Sequence, residues 1–181
     1  VDNITQSLKS NKWNIHTYTK TEATEAKLKT VKSPKVLHIA THGFFLKDID
    51  ELTDKTILGF ESNNLKSNPL LRSGIMMAGA SVVARDTANI YKEQDGIFTA
   101  YEASLLNLTN TDLVVLSACE TGLGVELNNQ GVFGLQRAFY IAGAKNLIMS
   151  LWIVDDHATQ LLMSEFYNLW SVNPTQKNIS T

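Results

Sequence analysis

Two apolar runs in this chain share one shape, and each ends in a chemically useful residue. Leu113-Val114-Val115-Leu116-Ser117-Ala118 leads into Cys119, followed at once by Glu120-Thr121-Gly122-Leu123-Gly124. Val36-Leu37-His38-Ile39-Ala40-Thr41 leads into His42-Gly43. Short apolar runs bounded by turn residues are the pattern of strands buried in a sheet. Helical patterns stand before, between and after the two runs, so the expected class is α/β. Reaction sites in open α/β sheets lie at the carboxyl ends of strands. If the two strands are parallel neighbours, His42 and Cys119 meet at one edge of the sheet. A cysteine with a histidine in reach is the minimum for thiolate nucleophilic catalysis.

The bulk properties narrow the alternatives. With 181 residues, a single domain over 1–181 is the default. A net charge of −2 leaves no electrostatic footprint for nucleic acid or an acidic membrane surface. No apolar run approaches the roughly 18 residues of a membrane span. The chain opens Val1-Asp2-Asn3, without an initiator Met or signal-peptide architecture, so a fragment of a longer chain is expected. One cysteine makes no internal disulfide and suits a reducing, cytoplasmic setting. One cysteine and scattered histidines also make no structural zinc set, so no metal is expected.

Along the chain, the alternation at 13–18 suits a strand and 21–30 a short helix. With the strand at 36–41 they predict a βαβ opening and a parallel sheet. Residues 46–72 read as a long polar loop and 84–96 as a second one. Residues 73–80 read as a short strand, and Met76-Met77 as core. Thr99-Ala100-Tyr101-Glu102 is a capping box that opens a helix through about Leu106. A strand at 112–118 carries the cysteine. Val132, Leu135, Phe139 and Ala142 then fall on one helical face, with Gly143 as terminator. A strand at 146–151 follows. A last helix behind Asp155-Asp156 carries the apolar Leu161, Leu162, Phe166 and Leu169 and stops before Pro174. The tail 175–181 is expected to be disordered.

Each chemical candidate has a plainer reading beside it. Free cysteines are commonly buried core residues, but Cys119 stands at a strand end before a Gly-rich turn. His42 is either a solvated loop histidine or the base that serves the thiol. The N–H groups of Gly43 and Cys119 could together form an oxyanion hole. His38, in mid-strand on the face of Ala40 and His42, reads as a hydrogen-bonded core histidine. Asp155 and Asp156 are natural N-caps, and a cap needs only one of them. The spare carboxylate could bind a basic substrate side chain. Glu120 and Glu126 lie near Cys119 and read equally well as solvated. His16 and His157 have no supporting context. No G-x-G-x-x-G, P-loop or G-x-S-x-G motif is present.

The motifs resemble those of a known family. His38-Ile39-Ala40-Thr41-His42-Gly43-Phe44-Phe45 and Leu116-Ser117-Ala118-Cys119-Glu120-Thr121-Gly122-Leu123-Gly124 resemble the two active-site motifs of CHAT domains. These are caspase-like cysteine peptidase domains usually found with TPR repeats. Further matches follow in order at Leu71-Arg72-Ser73-Gly74, at 95–102, at 131–139, and from Ala142-Gly143-Ala144 through Asp156. The resemblance implies a caspase-like three-layer α/β/α sandwich with a mostly parallel sheet. It implies a His–Cys dyad at His42 and Cys119, no cofactor, and a protein substrate. Separases, which resemble CHAT domains, carry an acidic residue that lines the pocket for a basic P1 side chain. By that analogy Asp155 comes first and Asp156 second. TPR repeats are absent from these residues, so the resemblance also implies a missing TPR region or regulatory partner. The leading expectation is a bacterial cysteine endopeptidase of clan CD. A caspase-like scaffold or signalling module, or an acyltransferase on the same dyad, is the alternative.

Overall fold

The computed structural model describes residues 2–46, 56–57, 60–80, 95–120, 129–150 and 155–172. The chain forms two compact units. One is Lys20–Ile153; the other combines Val1–Thr19 with Val154–Thr181.

The larger unit is mixed α/β. Its strands are β1 (Val36–Phe45), β2 (Thr56–Ile57), β3 (Phe60–Glu61), β4 (Ser73–Met76), β5 (Ile97–Thr99), β6 (Leu113–Glu120) and β7 (Leu147–Met149). Five of them form one sheet in the order β5-β4-β1-β6-β7, and β2 and β3 form a separate ribbon. β1 pairs β6, and β6 pairs β7, in parallel. β4 runs antiparallel to both β1 and β5, so the sheet is mixed where a mostly parallel one was expected. β1 thus has an antiparallel neighbour in β4 on one side and a parallel one in β6 on the other.

β6 occupies the sheet interior, and its composition accounts for that place. Leu113, Val114, Val115 and Leu116 are each no more than 2 % exposed, so both faces of the strand are covered. On one face, Ile39, Ile75, Phe98, Val114 and Leu116 join the main core. Leu135, Ala138, Phe139 and Ala142 complete it, the first three from the helix Asn129–Ile141. Leu28, from the helix Glu25–Lys29, packs into the same core. The helix over 129–141 ends as expected. Gly143 adopts φ +104°, and its N–H donates to Tyr140 O at 3.0 Å.

Several expectations need correction here. No strand forms at 13–18, and residues 13–19 have no regular secondary structure. A helix, α1 (Asp2–Ser10), precedes this segment and places Ile4 and Leu8 one turn apart. The loop expected at 46–72 contains the β2–β3 ribbon, the helix Ser62–Ser67 and a 3₁₀ turn at Pro69–Leu71. Leu65 anchors that helix in complete burial, and one apolar residue in a polar segment is a faint sequence signal. Most of the loop expected at 84–96, and the tail 175–181, lie outside the described residues.

The smaller unit pairs the helix Asp2–Ser10 with the helix Asp156–Trp170. The ring centroids of Trp13 and Trp170 lie 5.5 Å apart. The Trp13 indole N–H donates to Ser171 O at 3.3 Å, and the Asn11 amide donates to Ser171 Oγ at 2.8 Å. This packing, not a β-ladder, explains why an aromatic residue stands at position 13. On the C-terminal helix the buried residues are Met163, Tyr167 and Trp170. Leu161, Leu162 and Leu169, three of the apolar residues read along this helix, are exposed. Aromatic and sulfur-containing side chains won the buried face because they offer more contact area per residue.

Candidate functional site

The two apolar runs are parallel neighbours. The β1–β6 register pairs His38 with Val115, Ala40 with Ser117, His42 with Cys119, and Gly43 with Glu120. Neighbouring strands lie about 4.8 Å apart. The backbones of His42 and Cys119 are therefore adjacent near the carboxyl ends of their strands. β1 continues to Phe45, because its last residues pair with Ser73–Met76 of β4. His42 thus lies inside the strand, not in a loop beyond it. It is exposed, whereas Gly43 and Phe44 are buried.

The row that pairs His42 with Cys119 extends to the far edge of the sheet, through Met76 of β4 to Ile97 of β5. Phe44, Ile97, Met76 and Leu46 form a small apolar cluster of their own. The Thr41 hydroxyl donates to the Met76 carbonyl and ties β4 to β1 beside the histidine.

His38 behaves as its mid-strand position predicts. Its Nε2 lies 3.1 Å from Ser117 Oγ, across the β1–β6 pair. Burial pushes the imidazole down to about 4. It is therefore neutral near pH 7 and too weak a base to take a thiol proton there. Two histidines on one face of β1 have distinct environments: His38 half-buried and hydrogen-bonded, His42 open to solvent.

The carboxylate candidates divide differently. Asp155 and Asp156 belong to the smaller unit. Asp155 is exposed and caps the helix Asp156–Trp170, its Oδ1 accepting the Ala158 N–H at 2.8 Å. Asp156 is the first residue of that helix. Glu120 ends β6, while Glu126 and the Gly122–Gly124 turn lie outside the described residues. His16 and His157 are exposed. Among the described residues, no three His, Cys, Asp or Glu side chains are grouped to hold a metal ion.

Sequence reading passed over Ser117 and Thr41. Each lies one or two residues before a dyad candidate, a position that could have marked them as supports. It also passed over Glu25, the first residue of a five-residue helix, which is 2 % exposed. Its neighbours are Lys and Ala, and nothing in the local pattern marks it as buried.

The sequence profile of the CHAT domain family matches residues 1–178, nearly the whole chain, and the chain belongs to that family. CHAT domains are associated with the caspase-like clan of cysteine peptidases. No curated protein and no solved structure matches the chain.

Proposed function

We propose that this chain is a caspase-like cysteine endopeptidase domain that cleaves a protein substrate through a His42–Cys119 dyad. The observation that carries the reading is the parallel β1–β6 register, which sets His42 opposite Cys119. Membership of the CHAT family supports it. The mechanism follows from the parts. His42 takes the Cys119 thiol proton as the sulfur attacks a peptide carbonyl carbon, forming a C–S bond and turning the carbonyl oxygen into an oxyanion. The N–H groups of Gly43 and Cys119 hold the oxyanion. His42 delivers a proton to the leaving amine as the C–N bond breaks, leaving a thioester. It then takes a proton from water, which hydrolyses the thioester and returns the thiol. None of these steps uses a cofactor.

The full proposal has a three-layer α/β/α sandwich as its architecture, over residues 1–181 as one functional domain. Asp155, and after it Asp156, is the candidate for a basic P1 side chain. The setting is a bacterial cytoplasm, and TPR repeats or a regulatory protein control the activity.

The test uses the single cysteine. Alkylation of Cys119 by a small electrophile is followed by intact mass against pH, in the native chain and in His42→Ala. A free thiol titrates near about 8.5, whereas an activated one reacts well below that. Rapid labelling near neutral pH, slowed at least tenfold in His42→Ala, is the expected outcome. Equal, slow labelling in both proteins contradicts the dyad and turns the reading toward a non-catalytic signalling module.

A further inference from the structure

One buried acid is used by nothing in the proposed chemistry. Glu25 opens the helix α2 (Glu25–Lys29), is 2 % exposed, and among the described residues its two carboxyl oxygens have no side-chain hydrogen-bond partner. Three charged side chains act on it electrostatically: Lys29 from its own helix, Glu102 from the helix Ala100–Ser104, and Asp95 from the turn before β5. The backbone N–H of Gly96 also acts on it, favouring the ionised form.

The three carboxyl groups are unequally served. Glu102 Oε2 accepts the Thr99 N–H and the Thr99 hydroxyl, both at 2.9 Å. Its Oε1 pairs with Lys29 Nζ at 2.8 Å. Asp95 Oδ1 accepts the Ile97 N–H at 2.8 Å. A carboxylate well supplied with donors keeps its charge, while a buried carboxyl with few of them keeps its proton. The proton of this cluster therefore belongs on Glu25.

The position of α2 gives that proton a consequence. The Ala78 N–H, just beyond β4, donates to Ala23 O at 2.9 Å, and the Met77 N–H donates to Gly96 O at 2.7 Å. Ala23 lies two residues before Glu25. The segment leading into α2, the end of β4 and the turn before β5 are thus linked where the carboxyl is buried. We propose that Glu25 is a proton-gated latch, holding α2 against the β4–β5 edge while protonated and releasing it on ionisation. Burial, reinforced by Glu102 and Asp95 against the opposing Lys29, pushes the Glu25 carboxyl up to about 7. The latch therefore changes state near neutral pH. It acts at the edge of the sheet whose β4 residue Met76 pairs with His42. It does not depend on the peptidase reading.

The experiment uses the full chain. Carbon-13 NMR follows the side-chain carboxyls of glutamate-labelled protein against pH, with Glu25 assigned by Glu25→Gln. Amide exchange at Ala78, corrected for its intrinsic rate, is measured at pH 5.5 and 8.5. The expected result is a carboxyl that titrates near neutrality, with at least tenfold lower protection at Ala78 at the higher pH. In Glu25→Gln that protection should not change with pH. An ordinary Glu25 midpoint near 4.5, or Ala78 protection equal at both pH values in the native chain, overturns the proposal. If Glu25→Gln does not fold, Glu25→Asp supplies the assignment, and the native-chain measurements decide.

Discussion

Gly74 shows how closely the sheet is packed beside the candidate site. A Cβ built there would lie 2.6 Å from the Phe44 ring and 2.6 Å from Phe98 O. Phe44 is 2 % exposed, and its ring occupies the space that a side chain at 74 would need. Gly74→Ala should therefore destabilise the protein by roughly 1–3 kcal/mol, the usual cost of overpacking a filled core. Thermal denaturation would measure it, and an unchanged midpoint would mean that Phe44 moves aside freely. The sequence motif Leu71-Arg72-Ser73-Gly74 contains the glycine but not its reason, because Phe44 and Phe98 reach it from other strands.

At the scale of elements, helix caps separate a structural role from a chemical one. Thr99 and Glu102 form the capping box that the sequence announces, with reciprocal hydrogen bonds between side chain and backbone. Asp155 is also a cap, and the same residue is the first candidate for binding a basic substrate group. Substitution distinguishes the two roles. Asp155→Ala should cost about 1 kcal/mol by chemical denaturation, and Asp155→Asn should recover most of it, since asparagine caps as well. A charge-recognition role predicts instead that both variants lose cleavage of peptides with a basic P1 residue. Cleavage that survives Asp155→Asn would leave Asp155 with its cap alone and shift attention to Asp156.

For the whole molecule, a half-buried histidine and a buried acid give opposite dependences on pH. His38, pushed down from 6.5 to about 4, is neutral in the fold. Its unfolded counterpart takes up a proton below 6.5, so stability falls as pH drops from 6.5 toward 4. Glu25, pushed up from 4.5 to about 7, keeps its proton in the fold. Its unfolded counterpart ionises above 4.5, so stability falls as pH rises from 4.5 toward 7. Each effect amounts to at most about 3.5 kcal/mol at about 1.4 kcal/mol per unit. Between pH 4.5 and 6.5 the two slopes oppose and largely cancel. Urea denaturation across that window should show stability rising with pH in Glu25→Gln and falling in His38→Gln, relative to the native chain. Parallel slopes in the two variants would contradict this account.

Local chemistry in the sequence was enough to mark the central strands, the capping box, the glycine that ends the helix over 129–141, and His42 and Cys119 as strand-end candidates. Buried runs, caps and turn residues act within a few positions of one another, so their physics is written along the chain. The misreadings have a common cause. Trp13 sits in an alternating segment but packs on Trp170, 157 positions away. The C-terminal helix offers apolar residues on more than one face, and packing buried Met163, Tyr167 and Trp170 while leaving Leu161, Leu162 and Leu169 to solvent. β4 reverses the sheet because of its partners, not its composition. Glu25 looks like a surface helix residue until Asp95, Gly96 and Glu102 close around it. Sequence determined which segments must be strands or helices and which residues could do chemistry, because propensity and periodicity are local. Tertiary structure decided which face is buried, which strand runs backwards and which carboxyl keeps its proton, because those depend on groups that only folding brings together.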